Sequence, residues 1–369
     1  MGYIRIKARI LKRKLRNRTN NSTLPIPIKP SLPNFSFSKV FVTNQGDNNI
    51  SIVNSNNITL NENVPNPNGQ ADLYGISALK GTRKVYVGGQ AVFPTQAGIF
   101  VIDAVTNKII KRFNEIQDGF SYAIATNPIT KLVYVYTSYK LIIIDGNTDT
   151  IINTIPISIN PIQVLEVGPN AIAVNSKTNK IYITDPTFSA QLPSVNYLIV
   201  LDGATNNKIT QFPLNQGPAI GIDFPSYISI NENTNKIYIA NNFLGTLSIV
   251  DGNSDSLITT INFGTRAHSV AVNININKIY VGSFATVNNI LTSGYFVIDG
   301  SNNTVINFIR TGPEAVNAMI ADPKSNRVYA ADRAGNFYVI SGDNDQIIKR
   351  IAIGRGSISM TYTDPFAMP

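Results

Sequence analysis

The sequence predicts an all-β protein, a seven-bladed β-propeller of four-stranded antiparallel blades that is closed by pairing of its C-terminal strand with its N-terminal blade. Three observations support this prediction. One strand motif recurs seven times, each copy belongs to the same four-strand unit, and the chain begins and ends at complementary points of that unit. Hydrophobic residues make up 43% of the 369 residues and charged residues 14%, which suits many buried strands joined by short polar turns.

The recurring strand has a basic or aliphatic residue, an aliphatic residue, an aromatic residue and a small or aliphatic residue. Its copies are KVFV, KVYV, LVYV, KIYI, KIYI, KIYV and RVYA, and their aromatic residues are Phe41, Tyr86, Tyr134, Tyr182, Tyr238, Tyr280 and Tyr329. An aromatic residue that recurs in every copy indicates packing between the repeats rather than contact with a ligand.

The complete unit is clearest in the sixth copy, where SVAVN, KIYVGS, YFVIDG and TVINFI follow one another. Four short β-branched and aromatic runs separated by Asn, Asp and Gly turns predict a four-stranded meander. Such a sheet is apolar on both faces, and a closed ring covers both faces of every sheet. The first copy starts at its second strand, whereas the chain ends in SISMTYTDP, so residues 357–363 are expected to complete the sheet begun by Lys39.

Two domains are predicted, a basic tail with a linker at residues 1–34 and the propeller at residues 35–369. Residues 1–38 hold nine basic and no acidic residues, which account for the net charge of +9, and the other 22 Lys and Arg balance the 22 Asp and Glu. The tail residues expected to meet an anionic partner are Arg5, Lys7, Arg9, Lys12, Arg13, Lys14, Arg16 and Arg18. A nucleic acid, an anionic lipid surface and an acidic protein are the candidate partners, and a solvated arm without a partner is the alternative.

Several site types are disfavoured by composition. The chain has no cysteine, which excludes disulfides, thiolate metal ligands and cysteine-linked haem, and its one histidine excludes a metal site with several imidazoles. We therefore expect no cofactor and no metal. Charged residues interrupt the apolar residues near the N-terminus, and no apolar run reaches the roughly 18 residues of a membrane-spanning helix. The expected location is the cytoplasm, with the cell or spore surface as the alternative.

The unit AVN…NKIYVAN…LSIVDG…VITTI, best matched at residues 231–261, resembles the YVTN-repeat β-propellers found among surface-layer-type and related proteins. The resemblance covers about residues 39–369, and it implies the propeller fold. The first and last copies depart from it, with IVNSNN and VISGDN in place of VIDG. Function does not follow, because such propellers include binding modules, scaffolds and some enzymes.

The two faces of the predicted ring differ in their loops. The turns after the first and third strands are short and alike, whereas the loops between second and third strands and between blades vary, with enlarged segments at 88–97, 185–196 and 283–293. Long loops on a rigid frame often carry binding residues, although insertions are also tolerated there without function. An unidentified protein or small ligand is expected at this variable-loop face.

Residues at the start of each innermost strand are expected to surround the mouth of the central channel. His268 aligns with Tyr74, Tyr122, Asn170, Ser226, Asn317 and Ser359, and the charged residues Arg266, Glu314 and Arg355 lie on the connecting loops. No catalytic residue is assigned, and His268 is the single candidate.

A non-enzymatic binding or scaffold propeller, monomeric and with its ligand at the variable-loop face, is the favoured hypothesis because no catalytic group is assembled. The first alternative is a lyase or lactone hydrolase in which His268 acts as acid or base beside arginine side chains. The second is a structural protein of a cell or spore surface layer.

Overall fold

The computed structural model describes residues 36–67, 72–89, 98–113, 116, 123–137, 140–157, 171–187, 195–216, 225–242, 244–364 and 366–367. The chain divides into two units, one formed by Met1–Ser36 with Ala367–Pro369 and the other by Phe37–Phe366. The basic tail and linker lie outside the described residues and stay predictions. All regular elements of the described residues are strands, and no helix long and apolar enough to cross a membrane occurs among them.

The strands form seven four-stranded antiparallel sheets, as predicted. After the short β1 (Ser36–Phe37), blade 1 contains β2 (Lys39–Asn44), β3 (Asn49–Asn54) and β4 (Thr59–Pro65). Blade 2 contains β5 (Leu73–Leu79), β6 (Lys84–Gly89), β7 (Ile99–Asp103) and β8 (Lys108–Phe113). Blade 3 contains β9 (Ala123–Asn127), β10 (Leu132–Tyr136), β11 (Lys140–Asp145) and β12 (Thr150–Pro156). Blade 4 contains β13 (Ile172–Asn175), β14 (Lys180–Thr187), β15 (Val195–Asp202) and β16 (Lys208–Gln216).

The remaining three blades follow the same order. Blade 5 contains β17 (Pro225–Asn231), β18 (Lys236–Asn241), β19 (Thr246–Asp251) and β20 (Ser256–Asn262). Blade 6 contains β21 (Ala267–Asn273), β22 (Lys278–Val287), β23 (Ile290–Asp299) and β24 (Thr304–Arg310). Blade 7 contains β25 (Val316–Asp322), β26 (Arg327–Asp332), β27 (Asn336–Ser341) and β28 (Ile347–Ala352), and β29 (Ser357–Tyr362) and β30 (Phe366–Ala367) end the chain.

Closure of the ring occurs where it was predicted. The last long strand, β29, pairs antiparallel with β2, with Val40 opposite Tyr362 and Thr43 opposite Ser359, so blade 1 combines both ends of the chain. The innermost strands β29, β5, β9, β13, β17, β21 and β25 each contact the next one around the ring. The first strand of each unit therefore faces the central channel.

The core consists of seven apolar clusters, and each lies between two adjacent blades. One of them joins Phe41 and Ile52 of blade 1 to Val85 and Phe100 of blade 2. The aromatic residue of every recurring strand motif is fully buried, which agrees with the packing role predicted for it. Each blade buries both of its faces against its neighbours, and this explains why the second and third strands are apolar throughout.

Recurring asparagines link consecutive blades from blade 3 to blade 7. The Asn that ends an innermost strand donates through Nδ2 to Oδ1 of an Asn in the first turn of the following blade, in the pairs Asn127–Asn179, Asn175–Asn235, Asn231–Asn277 and Asn273–Asn326, at 2.7–2.8 Å. The acceptor asparagines have positive φ, a conformation that asparagine tolerates better than most residues. The repeated NTNK-type segment, such as residues 233–236, is thus one of the predicted Asn turns, and it also supplies the acceptor of a hydrogen bond between blades.

The substitution Asn231→Ala is expected to lower the free energy of unfolding by about 2 kcal/mol, because it leaves the half-buried Oδ1 of Asn277 without its donor and removes the side-chain contacts within the turn after β17. Asn231 is fully buried, and its Oδ1 also accepts from the backbone amide of Asn233. Urea denaturation followed by circular dichroism measures the loss. The control is Asn307→Ala on the exposed face of β24, which should change stability by less than about 0.5 kcal/mol. Equal effects of the two substitutions would contradict the role of the asparagine pair.

One enlarged segment differs from the expected loop. Residues 283–293 continue β22 and β23 as a regular hairpin whose two-residue turn consists of Asn288 and Asn289, both with positive φ. Two consecutive asparagines supply the conformation that a tight hairpin turn requires. The other two enlarged segments, 88–97 and 185–196, lie in large part outside the described residues.

Candidate functional site

The central channel holds a cavity of about 370 Å³ in the half where the innermost strands end. One ring of its lining consists of aliphatic and thioether side chains, namely Ile76, Ile124, Ile172, Ile228, Val270, Met319 and Met360. The next ring consists of Ser77, Ala125, Ala173, Ser229, Ala271, Ile320 and Thr361. Six of these seven residues are Ser, Ala or Thr, and their small side chains leave the space that the cavity occupies.

The rim of the cavity lies at the turns that follow the innermost strands, on the face with the short, similar turns. Lys80, Pro128, Ser176, Glu232, Ile274 and Pro323 line it, together with Tyr362 at the end of β29. This cavity is therefore at the opposite end of the channel from the variable-loop face. Tyr74, His268 and Asn317 are not among its lining residues.

Lys80 is the cationic side chain that lines this cavity. Its Nζ donates to the Tyr362 hydroxyl at 2.6 Å and lies 3.9 Å from the centre of the Tyr362 ring. The backbone carbonyl of Lys80 accepts from Lys131 Nζ at 3.1 Å, which fixes the turn that carries the side chain. An amine and a phenol thus stand together at the entrance to an apolar cavity.

Burial lowers the pKa of the Lys80 ammonium, because the apolar surroundings disfavour its charged form. The carboxylates of Asp364, Asp322 and Glu232 raise that pKa, but their effect is smaller than that of burial. Burial also raises the pKa of the Tyr362 phenol, which stays protonated. A larger fraction of Lys80 is therefore an uncharged amine than of an exposed lysine.

The nearby carboxylates already have partners of their own. Glu232 Oε1 accepts from the backbone amide of Ser176 at 2.7 Å, and Asp322 accepts from the backbone of Lys324. Asp364 forms an ion pair with Lys324 at 3.1 Å. Within the described part of the chain, Lys80 forms no ion pair, and its one side-chain hydrogen-bond partner is the neutral phenol.

The residues predicted for the channel mouth lie at the starts of the innermost strands, where β-bulges occur. In the pairing of β21 with β22, Ala267 is opposite Ser283 and Ser269 is opposite Gly282, so His268 is the extra, unpaired residue. Asn317 has the same position in β25. A bulge redirects a side chain locally, which separates these two residues from the regular alternation of their strands.

The structure describes some of the other residues predicted at the channel mouth and not others. Tyr74 is buried at a bulge in β5, and Ser226 occupies a bulge of β17. Tyr122 and Asn170 lie outside the described residues. In the last strand the bulge falls at Ile358, so the alignment of Ser359 with His268 was wrong by one residue, because the last copy lacks the Asn turn used for counting.

His268 has an apolar and cationic environment. Its ring meets Phe284 edge-on with centroids 5.5 Å apart, and its buried Nε2 has no hydrogen-bond partner among the described residues. Burial lowers the pKa of His268 to about 4, with further contributions from Arg266 and Arg333. A base with so low a pKa accepts a proton weakly near neutral pH, which does not favour its use as a general base.

The three charged residues predicted on the connecting loops are all exposed. Arg355 Nε forms an ion pair with Asp47 Oδ1 at 3.0 Å. This ion pair links the connection after blade 7 to the turn between β2 and β3. The backbone carbonyl of Glu314 accepts from Ser293 Oγ at 2.6 Å. Among the described residues, no group of three or more His, Asp or Glu side chains is arranged to hold a metal ion.

Comparisons with known proteins show the fold. No family model matches the sequence, and no curated protein matches it. Hydrazine synthase of Kuenenia stuttgartiensis is similar in structure, with a TM-score of 0.62 at 14% identity over 78% of this chain and 88% of that chain. Dihydro-heme d1 dehydrogenase NirN in complex with DHE has a TM-score of 0.56 at 12% identity over 87% of this chain and 74% of that chain.

A chain of a nidogen/laminin complex has a TM-score of 0.52 at 10% identity, over 90% of this chain and 98% of that chain. The similar structures thus include two enzymes and a chain from a protein–protein complex. At identities this low they share a fold and not a ligand or a reaction. The chain is a seven-bladed β-propeller.

Proposed function

We propose that this protein is a binding propeller that takes a small molecule with an apolar body and one polar end into its central channel. The observation that carries the proposal is the cavity of about 370 Å³. Small-molecule sites are concave and mostly apolar with a few polar groups that fix orientation, and their volumes begin at roughly 300 Å³. Here one ring of aliphatic and thioether side chains and one ring of mostly small side chains form the walls, and Lys80 with Tyr362 supplies polar groups at the rim.

The direction of entry follows from the geometry of the ring. The cavity is lined by the last residues of the innermost strands and by the turns after them, so a ligand enters from the face with the short turns. Its polar end then meets Lys80 and Tyr362 at the rim, and its apolar end contacts the ring that contains Ile172 and Ile228. Contact with buried aliphatic side chains supplies the larger part of the affinity for such a ligand.

The variable-loop face, the basic tail and the repeats support further proposals that are separate from binding in the channel. The variable-loop face with its bulged His268 and Asn317 remains a candidate surface for a protein partner, and the basic tail remains a candidate for an anionic partner. The repeats of residues 231–261 support membership of the YVTN-repeat propellers. None of these proposals is needed for binding in the channel.

Filling the cavity is expected to prevent binding. Ser229→Phe and Ala173→Phe place large rings in the small-residue layer of the cavity, and each should weaken the binding of the uncharged fluorescent probe N-phenyl-1-naphthylamine by about tenfold or more. Fluorescence titration of the folded protein measures the affinity, and circular dichroism verifies the fold of each variant. The matched control is Ser256→Phe on the exposed side of blade 5, which should bind the probe as the unaltered protein does.

The proposal fails if the unaltered protein shows no saturable binding of the probe. It also fails if both cavity variants fold normally and bind as tightly as the control, because the probe would then occupy another surface.

A further inference from the structure

We propose that the amine of Lys80 captures an aldehyde or ketone in the channel as a reversible Schiff base, with the Tyr362 hydroxyl transferring the protons. This inference rests on the proposed function, since it assigns a chemical class to the ligand of the same cavity. It is supported by the position of Nζ at the rim of the cavity, by the hydrogen-bond partner that Nζ has, and by the aliphatic side chains that line the cavity below it.

The partners of Lys80 differ from those of the lysines that begin the recurring strands. Lys39 and Lys236 donate to backbone carbonyls and to asparagine side chains of the next blade. Lys84, Lys180 and Lys278 each begin a recurring strand, and each forms an ion pair of 2.6–2.8 Å with an aspartate in the third turn of the next blade, namely Asp149, Asp255 and Asp345. These three ammonium groups are neutralised in place and join neighbouring blades. Lys80 instead donates to a phenol and lines a cavity. A lysine that faces an apolar cavity without a carboxylate partner has the setting of an activated amine nucleophile.

The charged groups around Lys80 come from four places. Tyr362 and Asp364 lie at the end of blade 1, and Asp322 and Lys324 lie at the end of β25 and in the turn after it. Glu232 lies in the turn after β17, and Lys131 lies in the turn after β9. The carboxylates are held by backbone amides or by Lys324, so none of them ion-pairs with Nζ among the described residues. Burial therefore outweighs them and lowers the pKa of Lys80.

The reaction uses only the amine, the carbonyl compound and the phenol. The Nζ lone pair forms a bond to the carbonyl carbon, and a proton passes from nitrogen to oxygen to give a carbinolamine. The C–O bond then breaks, and the hydroxyl leaves as water with a proton donated by Tyr362. The resulting iminium nitrogen returns a proton to the phenolate, so the products are an imine and water, and no oxidant or reductant takes part.

The rim also indicates which carbonyl compounds fit. Three carboxylates near Lys80 repel an anionic group at the entrance, whereas the rings below accept an alkyl or aryl chain. An uncharged apolar aldehyde is therefore the preferred ligand class, and hexanal is a suitable probe.

Reductive trapping tests the proposal. The full chain is incubated with hexanal and sodium cyanoborohydride at neutral pH, and modified lysines are located by peptide mass spectrometry. Lys80 should be alkylated several-fold faster than exposed lysines such as Lys349, because burial lowers its pKa and so leaves a larger fraction of it as free amine. Lys80→Arg should remove this fast phase, and the matched control Lys349→Arg should retain it.

Tyr362 is a positioning and proton-transfer residue, so its test is a pH profile. Tyr362→Phe should slow trapping at Lys80 and make the rate depend more steeply on pH, whereas a merely structural role would leave the shape of the profile unchanged. Peptide mapping of the unaltered protein shows whether Lys80 forms the Schiff base even where a variant fails to fold.

Trapping spread evenly over the exposed lysines, or a fast phase that survives Lys80→Arg, would overturn the Schiff-base proposal. Binding of N-phenyl-1-naphthylamine needs no covalent bond, so titration with this probe and trapping with hexanal, both on the unaltered protein, separate the two ideas. Saturable probe binding without trapping at Lys80 would leave the channel as a binding site and reject only its carbonyl chemistry.

Discussion

Deletion of residues 357–369 is expected to abolish cooperative unfolding, because it removes the strand that closes the ring. Blade 1 would lose its innermost strand, and β2 would lose the pairing that places Val40 opposite Tyr362. The deletion also removes contacts to the next blade, since Thr361 Oγ1 accepts from the backbone amide of Ala78 at 3.0 Å. Both neighbours of β29 in the inner ring, β25 and β5, would face an open gap.

The expected loss is comparable to the whole stability of an ordinary domain. Each backbone hydrogen bond contributes about 1 kcal/mol, and each buried Met or Tyr side chain contributes about 2 kcal/mol. Five paired positions of β2 with β29, together with buried Met360 and Tyr362, then amount to roughly 10 kcal/mol, against a typical total of about 5–15 kcal/mol. The truncated chain is expected to unfold gradually, because its ring of blades is open between β25 and β5.

Urea denaturation followed by circular dichroism tests this expectation. Deletion of residues 365–369 alone keeps β29 and the bond from the backbone amide of Thr363 to the carbonyl of Lys39, so this shorter deletion should unfold cooperatively. A synthetic peptide of residues 357–369 should restore a cooperative transition to the longer deletion. An unchanged midpoint in the chain that lacks residues 357–369 would show that β29 does not close the ring.

The architecture was predictable because every element of it is repeated. Seven copies of one burial pattern define the blades, and the missing strand of the first copy matches the surplus strand at the end of the chain. Turn positions followed in the same way, since the strands are separated by the predicted Asn, Asp and Gly turns, and the Asn before the recurring strand has positive φ in Asn179, Asn235, Asn277 and Asn326. The bonds between asparagines of neighbouring blades did not follow, because they depend on the angle between two sheets that no local pattern specifies.

The site was less predictable than the fold. The enlarged loops point to the variable-loop face, whereas the cavity lies at the other end of the channel. Mostly small residues from seven separate strands leave the space that it occupies. No sequence window contains more than one of those strands. A local signal for Lys80 does exist, because the second copy reads LKGTRK where other copies have an Asn turn, with Leu79 in the position of Asn231. Such a departure in one copy is visible but does not show that the lysine faces a cavity.

At high pH the protein is expected to unfold near pH 11, through its buried tyrosines. Nine tyrosines have a pKa raised chiefly by burial, namely Tyr86, Tyr134, Tyr182, Tyr238, Tyr280, Tyr295, Tyr329, Tyr338 and Tyr362. For Tyr134 and Tyr238 burial raises the pKa to about 12. In Tyr86 and Tyr280 a hydrogen bond to the carboxylate of Asp149 or Asp345 adds to the effect of burial.

The sign of the pH dependence follows from these shifts. A phenol that is protonated in the folded state and ionises near pH 10 when unfolded stabilises the fold fully below about pH 10. As the pH rises above that value, the unfolded chain loses protons first, and each tyrosine then reduces the free energy of unfolding by about 1.4 kcal/mol per pH unit. The eight of these residues other than Tyr329 together remove roughly 11 kcal/mol by about pH 11, which again approaches the whole stability of a typical domain.

Phenolate absorbance and far-ultraviolet circular dichroism, recorded in one pH titration, provide the measurement. Both signals should change together in a single steep transition, because the phenols ionise only when the blades open. Tyr182→Phe is the informative variant, since its fully buried hydroxyl has no hydrogen-bond partner among the described residues. It removes one ionisable group at little cost in packing, so the transition should move to higher pH while stability at neutral pH is kept. Tyrosines that ionise gradually around pH 10 in a protein that remains folded would contradict the prediction that these buried phenols ionise only when the protein unfolds.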